Sequence, residues 1–193
     1  MILAAKRVYV FGFGNSATVC TDMEIRFLRL GLAIRADADS PYAGYRSGLV
    51  TPDDVVIAVS HSGATKELLQ SVQTAKAAGA GIIVITSHGQ SLLAKLADIC
   101  LCGMGREVQY MSEAGASRLI HMAIGDVLYT RIAMKEKGFF QDNIKRCVRK
   151  SAKDESIDLT RKNRKRSLLS IIGSRLFFSE KKIGEGSVPI RRA

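Results

Sequence analysis

Two short runs constrain this chain most: VVIAVS (55–60) and IIVITS (82–87). Each is an unbroken apolar stretch, rich in β-branched residues, that ends in hydroxyls. A strand with one wet face alternates apolar and polar residues. A strand that is apolar throughout has both faces covered, as in a parallel sheet flanked by helices. A segment of helical period follows each run: TKELLQSVQTAKAAG (65–79), closed by Gly79, and SLLAKLA (91–97). The same pairing opens the chain, with RVYVFGFG (7–14) and then SATVCTDMEIRFLRLG (16–31). There Ser16 or Asn15 is the candidate N-cap and Gly31 the candidate terminator. AIRAD (33–37) and ICLCG (99–103) complete a set of five strands. Residues 40–54 read as connection with a helical turn or two, and 113–138 as one long helix with a broad apolar face. The expected fold is α/β: a three-layer sandwich with a five-stranded parallel sheet, flavodoxin-like.

In such sheets ligands bind beyond the carboxyl ends of the strands, near the switch in strand order. Three corners lie there: Gly12–Ser16, Ser60–Thr65 and Thr86–Gly89. The second reads SHSGAT. A helix N-terminus exposes N–H groups that no earlier turn satisfies, and its dipole favours an anion. Gly63 permits close backbone approach, and Ser60, Ser62 and Thr65 add hydroxyls. No lysine stands in the loop and the G-x-x-x-x-G-K-[ST] pattern is absent, so a monophosphate suits it better than a triphosphate with magnesium. The plain alternative is a helix cap. The first corner, GFGNSA (12–17), also fits G-x-G-x-x-A, with Asp37 placed like a ribose-binding acid. A dinucleotide fold, however, needs no SHSGAT after its third strand.

All but one unit of the net charge of +11 lies at one end. Residues 1–144 hold 14 Lys and Arg against 13 Asp and Glu, whereas residues 145–193 hold 15 against 5. The high overall charge therefore describes the tail, not the folded body. RKNRKR (161–166) is either a phosphate-backbone contact or a solvated run in a poorly ordered terminus. The expected division is a domain over 1–154 and a basic tail over 155–193. No stretch has the roughly 18 continuous apolar residues of a membrane span, and the N-terminus does not read as a signal peptide. Cys20, Cys100, Cys102 and Cys147 form no CxxC pair. The expectation is a cytoplasmic protein with free thiols, no metal site, no cofactor and no membrane partner.

GFGNS (12–16), SHSGAT (60–65) and AKAAGAGIIVITS (75–87), in that order, resemble the sugar isomerase (SIS) domain family. The resemblance implies that Gly12, Gly14, Asn15 and Ser16 line a phosphosugar, that Ser60, Ser62, Gly63 and Thr65 grip its phosphate, and that Thr86 or Ser87 borders the pocket. Within that family, LVTPDDVVIAVSHSGAT (49–65) and SRLIHMAIGDVLYTRIA (117–133), with Arg118 and Asp126, look like the sensor domains of RpiR-type bacterial transcription regulators. Those regulators bind DNA through an N-terminal helix-turn-helix. Here the first strand begins directly after Lys6, so the resemblance implies a sensor domain apart from its DNA-binding domain. DNA contact would then come only through that missing domain or weakly through the basic tail, which itself matches nothing in the family. The resemblance also implies a homo-dimer or higher oligomer joined through the long helix, where Ile120, Met122, Ile124, Val127, Leu128, Ile132 and Met134 lie on more than one face.

The alternative is a small sugar-phosphate aldose–ketose isomerase. Such chemistry needs a positioned base and a group that polarises the carbonyl oxygen. The candidates are His61, His88, Glu113 and His121. His61 and His88 also read as loop histidines facing water, Glu113 as a complement to a helix dipole, and His121 as a packed residue. No Glu–His pair stands at a spacing that places both on one site.

Overall fold

The structure, a computed structural model, describes residues 1–106, 115–135 and 137–159. Five parallel strands run β1 Arg7–Phe11, β2 Ile34–Asp37, β3 Asp54–Ser60, β4 Gly81–Thr86 and β5 Ile99–Cys102. Their order across the sheet is β2-β1-β3-β4-β5, the doubly wound order expected, with its switch between β1 and β3. Register follows from the apolar runs: Val8 pairs with Val55, Val10 with Ile57, and Ser60 with Thr86.

The helices are α1 Ala17–Arg29, α2 Ser40–Ser47, α3 Lys66–Ala77, α4 Leu92–Leu96, α5 Gly115–Lys135 and α6 Lys137–Leu159. Strand side chains alternate between two cores. Val8, Val10, Val55, Ile57, Val59, Ile83 and Ile85 pack with Val19, Met23 and Phe27 of α1 and Ile132 of α5. Tyr9, Phe11, Val56, Ala58, Ile82 and Val84 pack with Ala43 of α2, Leu68, Val72 and Ala75 of α3, and Leu93 of α4. Every residue of β3 is buried, which is why its sequence shows no polar alternation. Each such Val or Ile contributes roughly 1.5–3 kcal/mol through burial.

Several elements differ from the sequence reading. Residues 40–47 form a full helix, with Pro41 near its start, where the fixed φ of proline suits the first turn. Ser16 stands at the α1 N-cap in helical conformation and makes no side-chain cap bond; a 3-10 turn over Gly14–Ser16 precedes the helix instead. Gly31 and Gly79 end their helices as expected, with φ of 88° and 86°. The long helix does not close at Gly138, which lies in the first turn of α6. Asn143 of α6 donates through Nδ2 to the carbonyl of Leu30 at 3.0 Å, satisfying the C-terminal end of α1. The chain divides into Met1–Cys147 and Val148–Ala193; of the expected tail, only 155–159, the end of α6, falls among the described residues. Among the described residues no helix is long and apolar enough to cross a membrane.

Candidate functional site

The carboxyl ends of β1, β3 and β4 are neighbours in the sheet, so the three expected corners come together at the switch point. In the first corner Gly12 is buried, and a Cβ there would lie 2.5 Å from Cys20 Sγ and 3.0 Å from the Val59 carbonyl. Glycine is thus required for α1 to sit close to β1 and β3. Gly14 has φ of +56° with open space around it, so its role is conformational. Asn15 is exposed and Ser16 half-buried beside it. Asp37, the candidate ribose acid, is buried and paired with Arg46 of α2, whose guanidinium also lies 5.2 Å from the Tyr9 ring centroid. That carboxylate is committed to the protein's own ion pair, which removes the dinucleotide reading's acid.

In the second corner Ser60 is buried, and its Oγ accepts from the Gly63 N–H at 3.1 Å. Its hydroxyl shapes the loop from beneath. Ser62 is exposed, and its Oγ accepts from the Ala64 N–H at 3.3 Å. Gly63 holds φ of +62°, and its carbonyl accepts from the Leu93 N–H at 3.1 Å, which ties the loop to α4. Thr65 is the N-cap of α3 and makes no side-chain cap bond. Its hydroxyl and the first N–H groups of α3 are therefore left for another acceptor.

In the third corner Thr86 and Ser87 are both buried. Thr86 Oγ1 donates to the His61 carbonyl at 3.2 Å and accepts from the His88 N–H at 3.3 Å. Ser87 Oγ lies 2.9 Å from His61 Nδ1 and 3.1 Å from His121 Nε2. His88 Nδ1 donates to the His61 carbonyl at 2.9 Å, and the rings of His61 and His88 meet edge-on at 5.3 Å. All three histidines of the chain thus gather at this corner, two from loops and one from α5. His121 is 2% exposed. Burial pushes its pKa down and nearby His61 adds to this, while the hydrogen bond to the Gly103 carbonyl opposes it. The Ser87–His121 link spans 34 residues, and no local pattern announces it. Glu113 lies outside the described residues. Asp126 is bound to Arg26 of α1, which Asp22 also holds at 2.9 Å. Arg118 is half-buried on α5.

The SIS domain family profile matches residues 1–122. The chain belongs to the SIS domain family. It is 34% identical over 132 residues to an HTH-type transcriptional regulator of Clostridium perfringens, a match covering 68% of this chain and 47% of that one. It is 32% identical over 129 residues to the HTH-type transcriptional regulator RpiR of Escherichia coli, covering 67% of this chain and 44% of RpiR. The chain thus spans about half the length of the curated relatives it matches. Among solved structures, the Vibrio vulnificus NanR protein complexed with ManNAc-6P has the same fold, with a TM-score of 0.72 at 22% identity over 77% of this chain and 56% of that one. At these corners Asn15 and Ser62 are exposed, and Ser16 and Thr65 are half-buried. Hollows of about 310 and 410 Å³ lie elsewhere, against α5, and their linings are largely apolar. Among the described residues no group of three His, Cys, Asp or Glu is placed to hold a metal ion.

Proposed function

We propose that this SIS domain is the phosphosugar-sensing part of an RpiR-type transcriptional regulator. One observation carries the reading: two corners without a lysine or arginine meet at the switch point, the second bearing three hydroxyls and a helix N-terminus that the N-cap residue Thr65 leaves without a side-chain cap. Dipoles and hydroxyls hold a monophosphate there, and the corner at Gly14–Ser16 holds the sugar. Gly14, Asn15, Ser16, Ser62 and Thr65 make the contacts. Gly12, Ser60, Gly63, Thr86 and Ser87 act through the shape of the loops, because their Cα atoms or hydroxyls are already committed inside the protein. The NanR structure is of a complex with ManNAc-6P, which makes that compound the first probe.

The test is calorimetry with ManNAc-6P, glucose 6-phosphate and the corresponding free sugars. Binding of a phosphorylated sugar, without binding of its free form, is expected. Ser62→Ala should weaken it by about 1–3 kcal/mol, the cost of a hydrogen bond lost to a charged group. Equal affinity for both forms refutes the reading. The gathering of His61, His88 and His121 favours one second reading, the aldose–ketose isomerase. Incorporation of solvent deuterium into the bound sugar phosphate would establish it.

The sensor is further proposed to pair through α5. Ile120, Ile124, Val127, Arg131 and Met134 follow the alternating spacing of four and three residues that marks a helix–helix seam. Ile120, Val127 and Met134 are 38%, 69% and 54% exposed. Beside them lies the groove that Cys100 and Cys102 of β5 form with α5. A second copy of the same seam is the occupant this pattern fits. In the whole protein, contact with DNA falls to another region, to which the basic residues after 144 add a sequence-indifferent attraction.

A further inference from the structure

A backbone carbonyl only accepts hydrogen bonds, and two carbonyls at the third corner fix a proton on two of the three histidines, His121 and His88. His121 Nε2 lies 3.1 Å from the Gly103 carbonyl, so Nε2 carries the proton. The same nitrogen faces Ser87 Oγ at 3.1 Å, which makes Ser87 an acceptor on that side. The one hydroxyl proton of Ser87 is then directed to its other neighbour, His61 Nδ1 at 2.9 Å. His61 Nδ1 is the acceptor within reach of that proton. His88 has the opposite tautomer, because its Nδ1 faces the His61 carbonyl at 2.9 Å and must donate.

We infer that Ser87 and His121 are positioning residues: a hydrogen-bond chain of fixed direction, anchored on the Gly103 carbonyl, holds His61 as the Nε2–H tautomer and so presents a neutral donor within the phosphate loop. His61 stands between Ser60 and Ser62, and no described residue takes up its Nε2. Its ring is half-buried, in contact with the exposed ring of His88. A loop without a lysine or arginine thereby gains a directed N–H for a phosphate oxygen or a sugar hydroxyl, and gains it at no cost in buried charge. The chain also joins the loop after β3 to α5, so any contact that reorients His61 acts on α5 through two hydrogen bonds. The use of that donor rests on the phosphosugar reading. The tautomer itself does not.

The experiment separates the two. The full chain, labelled with 15N at histidine and free of ligand, is examined at pH 7.5 by long-range 1H–15N correlation, with assignments from single His→Gln variants. His61 and His121 are expected as Nε2–H tautomers and His88 as Nδ1–H. A spectrum in which His61 carries its proton on Nδ1 overturns the inference. Ser87→Ala removes the middle link and should turn the single His61 tautomer into a mixture. An unchanged Nε2–H signal in that variant overturns the positioning role. Should Ser87→Ala fail to fold, Ser87→Thr keeps the hydroxyl and is expected to retain the wild-type tautomer, and a mixture in that variant counts against the chain. Titration of ManNAc-6P into the wild type should then shift His61 Nε2–H. Absence of binding would bear on the phosphosugar reading alone, whereas binding without a shift at His61 would overturn its use as the donor.

Discussion

Replacing Gly63 by alanine tests how the phosphate loop is built. Gly63 has φ of +62°, in the left-handed region, where a side chain costs about 1–2 kcal/mol. The new Cβ would lie 2.5 Å from Ser91 Cβ, closer still to Ser91 Oγ, and 3.2 Å from Thr86 Oγ1. Ser91 must therefore move. It is the N-cap of α4, and its Oγ accepts from the Ala94 N–H at 3.3 Å; losing such a cap costs about 0.5–2 kcal/mol. Together the two effects predict a destabilisation of about 1.5–4 kcal/mol. With a urea slope of about 2 kcal/mol per molar, the midpoint falls by about 1–2 M. A double-mutant cycle separates the contributions. Ser91→Gly removes both clashing atoms, and glycine is tolerated at an N-cap for a few tenths of a kcal/mol. In that background Gly63→Ala should cost only the strain of about 1–2 kcal/mol, leaving a coupling of comparable size. A cost under about 0.5 kcal/mol in the wild-type background, well below the strain alone, refutes the conformational argument. An identical cost in both backgrounds refutes the steric one.

Three further outcomes follow from groups described above. Burial works against ionisation of Asp54, but hydrogen bonds from Arg7 and Thr51 outweigh it and hold its pKa below the usual 3.8. Its contribution is present above that value and is lost as pH falls below it toward the folded pKa. Arg7→Gln should lower stability at neutral pH and reduce this acid loss, read from urea midpoints between pH 5 and 3. His121 has the same sign for a different reason. Its folded pKa lies below 6.5, so the unfolded chain binds the proton first and stability falls as pH drops through 6.5, by at most about 1.4 kcal/mol per pH unit. His121→Gln should abolish that slope, and an unchanged slope in the variant would assign it to another group. Val127→Asp, at a position 69% exposed, should halve the mass seen by light scattering while leaving circular dichroism unchanged. A wild-type chain that is already monomeric at micromolar concentration refutes the paired seam.

Much of this architecture was legible because burial on both faces leaves a strong imprint. VVIAVS can serve as little else than a central strand, and all of its residues are buried. The corners were legible from glycines and hydroxyls, whose residue types reflect backbone demands. What those hydroxyls face was not. Ser60 and Thr86 carry the same functional group as Ser62, yet they turn inward onto Gly63 and the His61 carbonyl. That difference is set by loop geometry, which composition does not encode. One helix, α6, escaped the sequence reading, and α2 was read only as a turn or two within a connection, for related reasons. α2 buries only Ala43 and Ser47, too little for a periodic signal. α6 is held to the body by contacts such as Phe140 in the core and Asn143 on the Leu30 carbonyl, the latter a pairing across 113 residues. The Ser87–His121 link is long-range in the same way.

The close approach at Gly12 has a practical consequence for kinetics. Cys20 is fully buried beneath that glycine, and burial raises its pKa strongly, so in the closed state it holds neither an accessible nor an ionised thiol. Cys100, Cys102 and Cys147 are exposed. A thiol reagent will therefore label Cys147 at once, Cys100 and Cys102 according to how far the paired seam covers them, and Cys20 only as fast as the first corner opens. The slow phase is a built-in clock for the breathing of that corner. It needs no engineered probe, and any ligand that seals the corner will reduce its rate in proportion to the occupied fraction.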